Sequence, residues 1–272
     1  MKPRQPRHNS NSADTKNDTS WEKVATWYDE HLEEDADTYQ AKVILPNLTR
    51  ILALTGTERV LDLGCGQGFF ARQFAIGARN LIGADLSSSL ITYAKERSGG
   101  TRITYYVADA QKLSFARDAS FDIVYCVLAL QNMERLPEVV AEAKRVLTQN
   151  GRFIFVLNHP AFRIPKRSMW GWDEGSKTQF RRLDSYLSSS QEKIDMSPGA
   201  TKATYTVSFH RSMQDYTKAL RAAGFAVVRL EEWISHKKSQ AGPRMKAEDR
   251  ARKEFPLFLC IEAVALGGKM SV

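Results

Sequence analysis

The chain has 272 residues, 43% of them hydrophobic, a formal net charge of +8 and three cysteines. That length and apolar content can bury a sizeable core without disulfide or metal staples, and an odd cysteine count with no C-x-x-C spacing argues against both a disulfide framework and a structural zinc site. No stretch approaches the roughly 20 apolar residues of a membrane span, and residues 1–20 lack the apolar segment of a signal peptide, so a cytoplasmic protein with reduced thiols is expected.

Residues 1–20, rich in Asn, Ser, Asp and Lys, read as a disordered tail, and residues 21–272 as one domain. Helical stretches are expected over 21–32 and 39–54, the second with Val43, Ile44, Leu48, Ile51 and Leu52 in helical spacing. Residues 60–68 then read Val-Leu-Asp-Leu-Gly-Cys-Gly-Gln-Gly, an apolar strand running straight into glycines, with a helical pattern over 69–76. Glycines where a buried strand turns into a helix let the backbone approach a ligand closely, and the helix start offers unpaired N–H donors. Such a loop suits a nucleoside cofactor. Gly64, Gly66 and Gly68 give G-x-G-x-G with Phe69 next, whereas the dinucleotide fingerprint is G-x-G-x-x-G; the departure favours S-adenosylmethionine over NAD.

The same strand-then-polar-end pattern recurs. Residues 80–84 end at Asp85, 21 positions after Gly64, where a carboxylate can accept from both ribose hydroxyls. Residues 103–107 end in Ala108-Asp109-Ala110, where an acid suits the donating amine of adenine. A fourth strand over 121–127 opens into Leu128-Ala129-Leu130-Gln131-Asn132-Met133. Polar groups at successive strand ends around one crevice are how an open α/β sheet builds a site, and independent helix caps would have no reason to fall at every one. Farther on, a helix over 137–147 stops at Asn150-Gly151, followed by a strand at 152–157, a helix at 212–223, and strands at 225–231 and 255–266. The expected fold is α/β: a Rossmann-like, doubly wound, seven-stranded, mostly parallel sheet with N-terminal helices and a cap insertion after the fifth strand.

That insertion, residues 159–211, has too few periodic apolar positions for another βα unit, yet holds Trp170, Trp172, Tyr186, Tyr205 and Phe209. It is expected to cap an acceptor pocket, with one added strand near 204–210. Charge is unevenly spread: residues 161–182 carry +4 and residues 236–254 another +4. The second run reads as a solvated, mobile helix or loop, with a polyanion contact as the alternative. In the first, Arg163, Lys166, Arg167, Arg181 and Arg182 stand beside Trp170 and Trp172, which suits an acceptor both planar and negatively charged.

Taken together, the glycine loop, Asp85, Asp109 and the strand at 121–127 resemble the class I S-adenosylmethionine-dependent methyltransferases, in particular the small-molecule branch similar to the ubiquinone and menaquinone enzymes. The resemblance spans roughly residues 21–266. It implies that Asp62, Gly64, Cys65 and Gly66 hold the methionine portion of the cofactor, Asp85 and Leu86 the ribose, and Asp109 and Ala110 the adenine. Val127 then closes the cofactor floor. Trp27-Tyr28-Asp29 resembles a segment with which many of these enzymes lid the cofactor, which places Tyr28 over it.

Methyl transfer is an in-line displacement in which the protein aligns the reactants, excludes water and removes a proton where the acceptor carries one. His159, at the end of the fifth strand, and His210 are the candidate bases. Gln131 and Asn132 are placed at the pocket rim, and Arg163, Trp170 and Arg182 against the acceptor, a small molecule of anionic or aromatic character. Two other classes are weighed: a nucleic-acid methyltransferase and a cofactor-binding module without turnover. An amino-directed nucleic-acid enzyme would carry an Asn/Asp-Pro-Pro-aromatic signature where this chain has Leu130-Gln131-Asn132-Met133, and a C5-pyrimidine enzyme would need a nucleophilic cysteine at a strand end, whereas Cys126 lies inside one.

Overall fold

Apolar runs bounded by glycines and polar residues become the strands of one central sheet in the computed structural model, which describes residues 20–34, 36–196 and 203–267. The tail expected over 1–20 lies outside these residues except for Ser20, whose Oγ accepts from the Val207 amide at 3.3 Å. The strands are β1 (Arg59–Leu63), β2 (Asn80–Asp85), β3 (Ile103–Val107), β4 (Phe121–Val127), β5 (Leu147–Asn158), β6 (Ser168–Asp173), β7 (Thr178–Leu183), β8 (Ser190–Asp195), β9 (Tyr205–His210), β10 (Phe225–Trp233) and β11 (Phe258–Ala265). Seven of them form a sheet in the order β10-β11-β5-β4-β1-β2-β3. β1 to β5 run parallel, and β11 lies antiparallel between β5 and β10. Strand order reverses between β4 and β1, which opens a crevice at their C-terminal ends.

Helices cover both faces, so the central strands β1 and β4 are buried on both sides and read as near-continuous apolar runs, whereas β3 at the edge leaves Tyr106 and Val107 exposed. On one face Leu61, Leu63, Val124, Phe153 and Phe155 pack against Val139, Val140, Tyr216 and Leu220 of helices α5 (Leu136–Val146) and α6 (Met213–Ala222). On the other, Val60, Tyr125, Ile154 and Val156 meet Leu48, Leu52, Phe70, Phe74 and Ile91. Those residues come from α2 (Leu45–Leu52), α3 (Phe69–Phe74) and α4 (Ser88–Arg97). A helix α1 (Ala25–Glu34) precedes them, and the chain enters α2 through a wide turn at Gln40–Ile44. Among the described residues no helix is long and apolar enough to cross a membrane.

The insertion differs from expectation. It holds four strands instead of one, paired as the antiparallel hairpins β6–β7 and β8–β9. Side chains of β7 and β8 alternate between half-buried and exposed, but Phe180 and Leu183 face outward while Arg181 and Glu192 are half-buried, so the apolar alternation that marks a strand in sequence is lost. The basic run past β10 contains a helix, α7 (Met245–Glu254), which lies against β7.

Where the chain leaves the insertion, Ser212 starts α6 with a reciprocal cap: its amide donates to Asp215 Oδ2 at 2.9 Å and its hydroxyl to the same oxygen at 2.8 Å. Ser212→Ala should lower stability by about 1 kcal/mol, read as a fall in the urea midpoint at constant m-value.

Candidate active site

The crevice at the ends of β1 to β4 encloses a cavity of about 490 Å³. Its floor is the glycine loop. Gly64, Gly66 and Gly68 have φ of +73°, +55° and +82°, a left-handed conformation that glycine adopts at little cost. The loop is pinned from below, since the Gly64 and Cys65 amides both donate to the Ala84 carbonyl at the end of β2, at 2.8 and 3.0 Å. A Cβ on Gly64 would stand 2.5 Å from the Ala129 Cβ, so the loops after β1 and β4 touch across the crevice.

Asp85 organises the adjoining wall. One carboxylate oxygen accepts from the Gly66 amide and the other from the Ser87 amide, each at 2.9 Å. Burial pushes this carboxyl up from its usual pKa, against the pull of the backbone donors. Each oxygen keeps a further lone pair for a hydroxyl donor. At the end of β3, Asp109 Oδ1 accepts from the Gln111 amide at 2.9 Å, and Asp109 and Ala110 line the same cavity. Leu86 and Val127 line it too.

The roof comes from two places. Tyr28 of α1 lies on the glycine loop, its Cε1 3.5 Å from where a Gly66 Cβ would stand, and Trp21 packs edge-on to it at 5.3 Å. Burial pushes the Tyr28 phenol up to about 12. Trp27 turns outward, and Asp29 pairs with Arg97 at the end of α4 at 2.7 Å. Glu22 fixes this segment from the other side by accepting from the hydroxyls of Ser87, Ser88 and Ser89 and from the Ser89 amide, all at the start of α4. The second part of the roof is the β8–β9 hairpin, which contributes Gln191, Val207 and Phe209.

Residues 61–155 match the family described as a methyltransferase domain. An S-adenosylmethionine-dependent methyltransferase of known structure from Mesorhizobium loti is 30% identical, superposes with a TM-score of 0.65, and shares 80% of this chain and 96% of its own. This chain belongs to the S-adenosylmethionine-dependent methyltransferases. A malonyl-[acyl-carrier protein] O-methyltransferase of Pectobacterium atrosepticum is 36% identical over 109 residues, 39% of this chain and 42% of that protein. The chain thus spans less than half the length of this relative. A demethylmenaquinone methyltransferase of Clavibacter sepedonicus is 29% identical over 182 residues, 66% of this chain and 70% of that one.

The family's cofactor fits the crevice of this methyltransferase. The glycine cradle would be filled by any Cβ, the strand-end acids face a ligand that donates from ribose and adenine, and among the described residues the lining holds no arginine, lysine or histidine to repel a sulfonium. Asp62 stands one layer lower, buried in β1. Burial pushes its carboxyl up to about 8, opposed by the Tyr125 hydroxyl that donates to it at 2.9 Å and reinforced by the charge of Asp85. Cys65 is likewise turned beneath the loop and buried, which pushes its thiol well up.

Several residues expected at the site lie elsewhere. His159 is 1% exposed and outside the crevice lining. Its Nδ1 accepts from the Ala161 and Phe162 amides at 3.2 and 3.3 Å, so Nε2 carries the proton and donates to Glu232 at 2.7 Å. Burial lowers its pKa, with Glu232 opposing. Both ring nitrogens are committed. The reason is topological: β5 is separated from the crevice by β4, and the end of β5 is covered by the start of β11, where the His159 amide donates to the Leu257 carbonyl at 2.8 Å. His210, also buried, donates from Nε2 to the Tyr186 carbonyl at 2.8 Å and holds the insertion together.

Asn132 lines the crevice, whereas Gln131 is buried behind it. Both amides donate to the Leu128 carbonyl, at 3.2 and 2.8 Å, and so steady Leu128 at φ +54°, an uncommon conformation for a branched side chain at the edge of a site. Arg163 and Trp170 line a second cavity that shares no residue with the first. Arg182 points outward and pairs with Asp184 at 3.3 Å. Leu128 and Glu134 in the crevice lining, and Glu22, which holds the roof segment in place, were missed by sequence reasoning. Glu22 could have been suspected only from a contact 65 positions away, which no local pattern encodes.

Proposed function

We propose that this protein transfers the methyl group of S-adenosylmethionine to a small, uncharged acceptor with an apolar body, held under the β8–β9 hairpin. The observation that carries this reading is the cavity itself: about 490 Å³, roofed by α1 and the hairpin, with Leu128, Met133, Val207 and Phe209 on the wall away from the strand-end acids. A nucleic-acid strand would need cations along its phosphates, and the lining has none among the described residues. A carboxylate or phosphate on the acceptor would face Asp85, Asp109 and Glu134 without a counter-charge. Of the anionic or aromatic acceptors expected from the sequence, a neutral aromatic one suits this lining better. The acceptors in the relatives' names, a malonyl group on a carrier protein and demethylmenaquinone, include one with an apolar quinone body of this kind.

The bound cofactor supplies an activated methyl group on a sulfonium. The chain's residues align, shield and discharge. Gly64 and Gly66 let the backbone close on the cofactor, Tyr28 and Phe209 exclude water, and Leu128 sets the acceptor's approach. Apart from the strand-end acids, the ionisable side chains of the lining are Tyr28, whose raised pKa keeps it neutral, and Glu134 at the rim. Glu134 is thus the group that would take a proton from a hydroxyl acceptor. Glu134→Gln should lower kcat by about 10²-fold for such an acceptor with little change in S-adenosylhomocysteine affinity, and should leave a carbon acceptor's rate within severalfold.

The test is to incubate the protein with methyl-labelled S-adenosylmethionine, a fractionated small-molecule extract and, in parallel, bulk RNA. Label should enter a neutral low-mass fraction. Label in RNA alone would overturn the small-molecule reading, and label in neither pool would favour a cofactor-binding module without turnover.

A further inference from the structure

The two basic runs, at 161–182 and 236–254, converge on one cavity of about 230 Å³. Hairpin β6–β7 supplies Trp170 and Arg181, the segment after β5 supplies Phe162 and Arg163, and α7 with the residue after it supplies Arg252 and Phe255. Arg244 bolts the halves together by stacking on Trp172 at 4.5 Å and pairing with Glu174 at 3.0 Å. Among the described residues no Asp or Glu lines the cavity.

Its three guanidinium groups are unequally committed. Arg181 is fixed: Nε donates to the Phe162 carbonyl at 2.9 Å, a terminal nitrogen donates to Ser168 Oγ at 2.8 Å, and the plane lies over Trp170 at 5.0 Å. Arg252 donates to Ser239 Oγ at 3.0 Å. The nearby Asp249 carboxylate accepts the Ser239 amide at 2.7 Å, leaving other guanidinium donors of Arg252 for the cavity. The backbone amide of Arg163 donates to the His159 carbonyl at 2.8 Å, while its guanidinium makes no hydrogen bond or ion pair among the described residues. Arg163 is exposed to solvent, yet protein close to its guanidinium lowers its pKa, and its charge adds to the burial that lowers that of Arg181. Like charges gathered around one concave space repel one another even where water reaches them, and an anion placed among them relieves that repulsion.

We propose that this cavity binds a small oxyanion carried on a flat apolar body, an aryl phosphate or aryl carboxylate, at a site separate from the cofactor crevice. The planar forks of Arg163 and Arg252 match the paired oxygens of either group. The walls suit the flat body: Phe162 and Trp170 both meet Phe255 edge to face, with centroids 5.5 and 5.4 Å apart. A free phosphate would use the guanidinium groups and leave these walls unused.

The test is calorimetric titration of the full chain with phenyl phosphate, benzoate and inorganic phosphate, repeated on Arg163→Gln and on Arg182→Gln as a basic residue outside the cavity. Phenyl phosphate or benzoate should bind at one saturable site and more tightly than inorganic phosphate. Arg163→Gln should weaken that binding about tenfold, the loss of one charge-assisted contact, with S-adenosylhomocysteine affinity unchanged. Arg182→Gln should leave it within about twofold. If only the phosphate or only the carboxylate saturates, that result names the group the site takes. No saturable binding of either aryl ligand up to about 10 mM would overturn the proposal. So would equal weakening by both variants, which would mean diffuse surface charge, or inorganic phosphate binding as tightly as phenyl phosphate.

Discussion

Gly64→Val should weaken S-adenosylhomocysteine binding by at least about 100-fold, or about 2.7 kcal/mol. The left-handed backbone at φ +73° costs an L-residue about 1–2 kcal/mol, more for a β-branched one. A Cβ there would also collide with Ala129 at 2.5 Å and press on the Met133 Cε at 3.2 Å. The loop must shift, and with it the two amides held on the Ala84 carbonyl. Gly56 separates the two effects, because at φ +91° it has the same torsional demand but nothing within 4 Å of its Cβ position. Gly56→Val should therefore lower the thermal midpoint while leaving cofactor affinity as in wild type. Calorimetry and thermal melts on both variants check this; undiminished binding by Gly64→Val would remove the glycine loop from the cofactor site.

A second large effect is a pH dependence centred on Asp62. Its folded pKa of about 8 lies far above the ordinary value of about 3.9, so the folded apo-protein holds a proton that the unfolded chain releases. The stability this contributes is complete below about pH 4 and is lost as pH rises through about 8, at up to roughly 1.4 kcal/mol per pH unit. Cofactor binding works in the opposite sense. A cationic cofactor on the loop above Asp62 favours its ionised form, so binding releases protons below about pH 8 and affinity should rise severalfold from pH 6 to pH 8. Asp62→Asn should flatten both trends between pH 5 and 8, measured by melts of the apo-protein and by S-adenosylmethionine titrations in buffers of different ionisation enthalpy. Persistence of both slopes in that variant would assign them to other groups.

The central sheet was legible because its parallel strands are apolar runs bounded by glycines and polar residues: β3 and β4 match the runs at 103–107 and 121–127 residue for residue. Asp85, Asp109 and the glycine loop were legible for the same reason, since chain order alone brings successive strand ends to one side of the sheet. The hairpins β6–β7 and β8–β9 were not. Segments such as Thr-Gln-Phe-Arg-Arg-Leu at β7 are half solvated, and what holds them is contact with α7 or with the crevice rim, not an apolar period of their own. His159 shows the limit most plainly. Its position at the end of β5 could be read, but the direction of its ring is set by Glu232 and by two backbone amides of its own turn. The basic runs were visible as charge, whereas their convergence depends on a 244-to-174 ion pair that spans 70 residues.

Two cavities of opposite character follow from this arrangement: an acidic crevice at the strand ends, and a basic one between the insertion and α7. Separating them is the most direct test of the account. Backbone amide shifts should be followed by NMR as the isotope-labelled protein is titrated with S-adenosylhomocysteine. Saturable shifts are expected at Gly64, Gly66, Leu86, Ala110 and Val127, with Arg163 and Trp170 unmoved. Shifts confined to Arg163, Trp170 and their neighbours, with the glycine loop silent, would contradict it.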